Sequence, residues 1–367
     1  MAASLDRRQF LGRSLAAGAG LVVVGGGASS LLAACSSNSS TTTGSAASGG
    51  TVAPGSLGTL DFQLSWIKNV EFAGNYFADS EGYYKAAGFS KVNLISGGPN
   101  VQQDSVVAAG GALVGISAPD ITAPAILKGA PLIIIGALFQ KNPFAIVSLS
   151  SNPIATPQDM VGKKIGVQSV NEPIWNAFLQ ANSLDPSSIT KVPAQFDPTP
   201  LAAGEVDGWF SFITNEPNLL KVKGIDTTAF LLNDYNYPLV SQTYMVTTDS
   251  LNNSRDKVKA VLASDIQGWH NSLKDPAAGA ALAVNVYGKD LGLDVAEQTL
   301  ESAAQNKLIL TDRTKTDGIM TITDEQQQAT IATLKLGGTV ITADKLFDMS
   351  VLSEVYEANP GLKTSPV

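Results

Sequence analysis

Between Val92 and Leu138 the chain reads VNLISGGPNVQQDSVVAAGGALVGISAPDITAPAILKGAPLIIIGAL. Val92–Ile95 is a short apolar run suited to a strand, Val101–Ala109 has helical spacing, and Leu113–Ile116 is apolar again. Ile121–Leu127 returns to helix, and Leu132–Leu138 is a continuous apolar stretch of the kind buried on both faces of a parallel sheet. Strands and helices alternating at this spacing predict right-handed βαβ units and an α/β domain.

The same rhythm extends both ways. Leu60–Trp66 alternates as a half-buried strand, and Gly74–Ala87 fits a helix closed by Gly88 in left-handed backbone. A second series follows Phe144–Leu149, with strands at Lys164–Gln168, Ile189–Val192 and Val206–Phe212. Helices at Ile174–Ala181, Pro198–Ala203 and Glu216–Val222 fall between them, and Thr156 caps a short turn opened by Pro157. Thr243–Thr247 is one more strand, after which the pattern is helical: Arg255–Leu273, Pro276–Val286, Val295–Gln305, Asp324–Leu336 and Ser350–Ala358. The expected architecture is a two-lobed α/β clam-shell with two crossing strands, near 144–149 and 243–247. Lobe 1 takes 59–146 with 247–367, and lobe 2 takes 147–246. Ligand is expected in the cleft where strand C-termini face each other.

The chain has 367 residues, 24 basic and 32 acidic, for a net charge of −8, with one His and one Cys. An acidic chain is a poor partner for nucleic acid, which demands clustered positive charge. One Cys and one His exclude a disulfide framework, and a multi-ligand zinc site built on them is disfavoured. Arg7, Arg8 and Arg13 precede the uncharged segment Ser14–Ala34, the build of an export signal over residues 1–34. Arg7-Arg8-Gln9-Phe10-Leu11 looks like a twin-arginine signal, and Leu32-Ala33-Ala34-Cys35 looks like a lipobox with Cys35 as the lipidated mature N-terminus. Residues 35–58, rich in Ser, Thr, Gly and Ala, read as a flexible tether. Without residues 1–34 the chain keeps 21 basic and 31 acidic residues, a net −10.

Leu64-Ser65-Trp66-Ile67-Lys68-Asn69-Val70-Glu71-Phe72-Ala73-Gly74, running into Gly82–Gly88, resembles the nitrate/sulfonate/thiamine-pyrimidine-binding family. Gly110–Ile116, Lys128–Pro131, Val161–Val167 and Gly204–Asp207 extend the resemblance over about residues 60–280. It implies a type II periplasmic-binding-protein fold and an ABC importer, with a permease and its ATPase as partners. Trp66 with Asn69, and Thr214-Asn215-Glu216-Pro217, most resemble the branch that binds thiamine pyrimidine precursors.

The residues themselves point to similar chemistry. Loops after strand ends carry Trp66, Asn69, Glu71, Phe72, Ser117, Asp120, Asn142, Asn171, Glu172, Trp175, Asn215, Glu216 and Tyr235. Aromatic faces offer stacking area for a flat ring, and carboxylates and amides offer acceptors for a ring amine. Lys68 and Lys141 are the only cations nearby, too few for an anion site. Each residue also has a plainer reading. Glu172 and Glu216 suit first helical turns, Asp120 can cap a helix, and Trp66 and Trp175 can be core. Tyr235 and Tyr237 are equally suited to a hinge. Trp209 reads as core and His270 as solvated.

The resemblance also reaches a pyrimidine synthase, which uses a His in the Trp66–Gly74 loop and a cofactor-bearing Lys after the Gly115-Ile116 strand. Here those places hold Phe72 and Ser117, and no cysteine cluster marks the second crossing. No turnover, cofactor or metal is expected, and a monomer held at the outer face of the membrane through Cys35 is. Riboflavin or another aromatic heterocycle is the alternative ligand, then sulfonate or nitrate, then a sensor domain without transport.

Overall fold

Two five-stranded sheets organise the chain. Their strands are β1 Gly58–Gln63, β2 Phe89–Ile95, β3 Val114–Ser117, β4 Leu132–Phe139, β5 Phe144–Leu149, β6 Lys164–Gln168, β7 Thr190–Ala194, β8 Gly208–Phe212, β9 Thr227–Leu231 and β10 Ser241–Thr247. The computed structural model describes residues 53–367 apart from Pro99, Phe196 and Pro366, with Val170 described in its backbone alone. The expected signal, Cys35 and most of the tether lie outside the described residues.

The first sheet has the order β2-β1-β3-β10-β4 and the second β7-β6-β8-β5-β9. In the first, β1 runs parallel to β2 and β3, while β10 is antiparallel to β3 and β4. In the second, β6 runs parallel to β7 and β8, while β5 is antiparallel to β8 and β9. Each sheet thus carries a reversed strand that the chain enters straight after leaving the other sheet. The chain crosses between the sheets directly before both expected strands, and only the boundary of lobe 2 shifts. The segments near 144–149 and 243–247 are sheet strands, and β10, placed in lobe 2 by the sequence, belongs to the first sheet. The passages between sheets are residues 140–143 and 232–240.

Every residue of β4 is buried although it ends the sheet order. Its outer edge is covered, with Ile134 bridged to Phe347 and the Ala137 amide donating to the Met320 carbonyl at 2.9 Å. An unpaired edge is thereby closed off. Other boundaries moved for local reasons. The helix expected over Gly74–Ala87 breaks at Gly82 (φ +74°) into Ala73–Ser80 and Tyr83–Ala86. Gly88 does adopt positive φ, at 109°. The tether ends before residue 58, because Leu57 packs on the first core and its amide donates to the Gly88 carbonyl at 3.0 Å. The expected Pro276–Val286 helix is α-helical over Pro276–Leu282 and turns into a π-helix over Ala283–Tyr287.

Helices Ala73–Ser80 and Arg255–Lys274 approach through glycines. A Cβ on Gly268 would lie 2.0 Å from the Gly74 carbonyl oxygen, and one on Gly74 would lie 2.3 Å from the Trp269 ring. The Gly74 of the family-like segment is therefore a packing residue. Beside this crossing Asp265 is fully buried, accepting from Asn75 Nδ2 at 3.0 Å and from the Tyr84 hydroxyl. Burial pushes its carboxyl up to about 8, the hydrogen bonds opposing. Asp265→Ala strands both donors in the core and opens a cavity, so we expect about 3–5 kcal/mol of destabilisation in urea unfolding. Asp265→Asn, which keeps an acceptor, is expected to lose much less; equal losses would contradict this account of the network.

His270, expected to be solvated, is half-buried on the same helix, and its Nε2 makes no hydrogen bond. Burial, helped by the charge of Lys274, lowers its pKa to about 4.

Candidate functional site

Parallel strands deliver their C-terminal ends to one edge of a sheet, and a reversed strand delivers its N-terminal end there. The residues after β1, β3, β6 and β8 therefore meet the first residues of β5 and β10. Between them lies a chamber of about 430 Å³, within the range of small-molecule sites. Ser65, Trp66, Asn69 and Glu71 come from the segment after β1, and Ser117 ends β3. Gln168, Asn171, Asn215 and Glu216 come from the second lobe, while Phe144 and Ser241 open β5 and β10.

Glu301 completes the chamber from helix Val295–Ile309. This helix grips the β1 loop: Asn69 Nδ2 donates to Glu301 Oε1 at 3.2 Å, and the Val70 amide donates to Gln298 Oε1 at 2.7 Å. Gln305 Nε2 donates to the Val70 carbonyl at 3.1 Å, and Gln298 Nε2 donates to Glu301 Oε2 at 2.8 Å. Asn69 is buried, yet its Oδ1 has no partner and awaits a donor.

Three carboxyls dominate the electrostatics. Burial pushes Glu71 up to about 7, with hydrogen bonds from Gln242 and Ser65 opposing. Burial also pushes Glu216 up to about 7, although the Phe212 amide and Ser211 hydroxyl each donate to its Oε2 at 2.9 Å. Glu301 is raised well above the carboxylate range by burial, then by the charges of Glu297, Glu71 and Glu216. Among the described residues lining the chamber there is no Lys, Arg or His. Nor does any set of three His, Cys, Asp or Glu among the described residues come together to hold a metal ion. Lys141, one of the two candidate cations, is paired with Asp234 at 2.7 Å, and Lys68 lines nothing here. Ionised, these carboxyls accept hydrogen bonds; protonated, each keeps acceptor capacity and adds one O–H donor.

Its aromatic surface differs from expectation. Trp66 lines the chamber and also packs on the first core, so both of its readings hold. The other rings are Phe144, Phe210 and Phe212; Phe144 sits 5.1 Å from Phe210 and 4.7 Å from Phe212 between centroids. Three positions proposed from sequence are elsewhere. Phe72 is fully buried in the first core. Trp175 is in the second core, edge-on to Phe210 at 6.4 Å. Tyr235 lies edge-on to Phe230 at 5.1 Å, its hydroxyl donating to the Ala155 carbonyl at 3.4 Å. Glu172 is a further correction, an exposed side chain paired with Lys191. Asp120 and Asn142 line an adjoining chamber instead of the first, and Trp209 is core as expected.

Gln242 was not singled out from sequence. It occupies left-handed backbone (φ 51°), costly for a side chain of this type, and donates from Nε2 to the Glu71 carbonyl at 3.1 Å. The strain sits where β10 enters the sheet and turns an amide onto the Glu71 segment.

Fold and cleft together define a two-lobed α/β protein with a chamber between its sheets. Residues 69–279 match the NMT1/THI5-like family model, and the chain belongs to that family. It is 25% identical over 221 residues to the riboflavin-binding protein RibY of Chloroflexus aurantiacus, a match spanning 58% of this chain and 62% of that protein, less than two thirds of its length. The fold is shared with the periplasmic aliphatic sulphonate-binding protein SsuA of Escherichia coli, at TM-score 0.60 and 18% identity, covering 80% of this chain and 91% of that one. It is shared too with the desulfurization enzyme DSZB, at TM-score 0.52 and 12% identity, covering 82% and 99%.

Proposed function

We propose that this chain is the extracytoplasmic solute-binding component of an ABC importer, and that its ligand is a thiamine pyrimidine precursor or a similar flat amino-heterocycle. The observation that carries the ligand class is the trio Glu71, Glu216 and Glu301, drawn from three segments around a chamber without a cation. A sulfonate or nitrate placed there finds no Lys, Arg or His, and meets like charge wherever Glu71 or Glu216 is ionised. A ring amine meets carboxyls and Asn69, whose Oδ1 has no partner, with Trp66 and the Phe144 group beside its faces.

Capture works by closure of the lobes about the passages at 140–143 and 232–240. Unliganded, closure presses Glu216 of one lobe toward Glu71 and Glu301, which is unfavourable once they ionise; a donor-bearing ligand between them removes the penalty. The lipidated Cys35 holds the domain at the membrane, where a permease and its ATPase receive the ligand. We assign no turnover, because the places where the resemblance puts a His base and a Schiff-base Lys hold core Phe72 and Ser117, whose hydroxyl donates to Asp104 Oδ2 at 2.6 Å.

Riboflavin is the second reading, favoured by the likeness to RibY and by the three phenylalanines. A thermal-shift screen against the aminopyrimidine, riboflavin, taurine and nitrate tests the class. A ligand present at about 100 times its dissociation constant adds roughly 2.7 kcal/mol. The aminopyrimidine is expected to raise the melt; a shift by riboflavin alone selects the second reading, and shifts by the anions alone overturn both.

A further inference from the structure

Next to the carboxyl chamber lies a second one of about 500 Å³, and the two share walls formed by Ala118, Ile121, Phe144, Asn171, Phe212 and Ser241. It runs along the two passages between the sheets, touching Asn142 from one and Tyr237 from the other, and is closed by Leu334 of helix Asp324–Leu336. Ile174 brings in the second lobe. Most of this lining is apolar or uncharged, with one exception. Asp120 is among the lining residues, and its Oδ1 is buried without a hydrogen-bond partner. A buried acceptor of this kind is costly to leave unfilled.

We propose that the second chamber binds the far end of an elongated ligand, with Asp120 accepting a hydrogen bond from an amine or hydroxyl there. A single pyrimidine ring held by Glu71, Glu216 and Glu301 leaves this space empty, whereas a molecule with a flat head and a donor-bearing tail spans both chambers. Burial raises the Asp120 carboxyl to about 6, so at neutral pH it is mostly an ionised acceptor. Because the chamber touches both lobes and both passages, a tail lodged there also braces the closed arrangement. The inference uses the functional reading only for the chemistry of the head.

The test is calorimetric titration of the wild-type protein, Asp120→Asn and Asp120→Leu with three probes. These are 4-amino-5-hydroxymethyl-2-methylpyrimidine as head alone, and thiamine and riboflavin as elongated molecules. At least one elongated probe is expected to bind, and Asp120→Leu to weaken it tenfold or more with the melt unchanged, Asp120→Asn falling between. Affinity for the head alone is expected to stay within twofold. An elongated probe that binds where the head does not, and is weakened by Asp120→Leu, would remove the pyrimidine reading and still support the second chamber. Equal losses for head and elongated probes, no loss for either, or no binding by any elongated probe would overturn it.

Discussion

Glu216→Gln is expected to weaken binding of the aminopyrimidine about 100-fold, or about 2.7 kcal/mol, while leaving the fold intact. The oxygen already engaged decides the effect. Oε2 accepts from the Phe212 amide and the Ser211 hydroxyl, which leaves Oε1 as the oxygen to meet ligand. In the variant the single amide oxygen must satisfy the buried Phe212 N–H, which turns the NH2 group toward the chamber. A donor then faces the ligand's donor. Glu216→Ala, which strands the Phe212 amide as well, is expected to lose binding and some stability together. Titration calorimetry with a parallel thermal melt separates these effects. A Glu216→Gln protein that binds the aminopyrimidine as tightly as the wild type would remove Glu216 from the site.

The second large effect is on stability against pH. Glu71, Glu216, Glu301 and Asp265 hold their protons more tightly folded than unfolded. Their contribution is complete below the ordinary carboxylate value. It is lost as pH rises through about 7 for Glu71 and Glu216 and about 8 for Asp265. For Glu216, 6% exposed and raised from 4.5 to about 7, that loss is roughly 3 kcal/mol. Asp120, raised to about 6, and Asp104 and Glu297, also raised, act in the same sense, whereas His270, lowered to about 4, acts in the opposite sense up to its ordinary value of 6.5, one group against seven. Asp159, Asp185 and Glu354, lowered by their hydrogen bonds, stay ionised throughout. The unliganded protein is therefore expected to melt several degrees lower at pH 8 than at pH 5, with the slope reduced in Glu216→Gln and by an amine-bearing ligand. A melting temperature that rises steadily over this range would contradict the buried, proton-holding carboxyls.

The α/β alternation was legible because burial on two faces leaves continuous apolar runs. β5, β6 and the helices Glu216–Val222, Asp324–Leu336 and Ser350–Ala358 fall where periodicity put them. β9 was missed because Thr227-Thr228-Ala229-Phe230-Leu231 is short and only half apolar. Loop position after a strand picked out Trp66, Asn69, Glu71, Ser117, Asn171, Asn215 and Glu216, all of which line the chamber. It misplaced Phe72 and Trp175, because an aromatic ring near a strand end packs inward or outward with the same local signal. Glu301 was invisible for the opposite reason. Glu297, Gln298, Glu301 and Gln305 form a polar stripe that looks like a solvated face, yet all four are buried against the β1 loop. Phe144, Phe210 and Phe212 read as ordinary strand residues, and only the register Phe144 to Phe212 shows that they end together at the cleft.

The central claim concerns the sense of the hydrogen bonds in the cleft: the protein accepts and the ligand donates. Two pyrimidines of equal size test it, 2-methylpyrimidine bearing a 4-amino group and the same ring bearing a 4-carboxylate, titrated calorimetrically into wild-type protein at pH 7.5. The account predicts measurable binding of the amine and none of the carboxylate. Tighter binding of the carboxylate would contradict it.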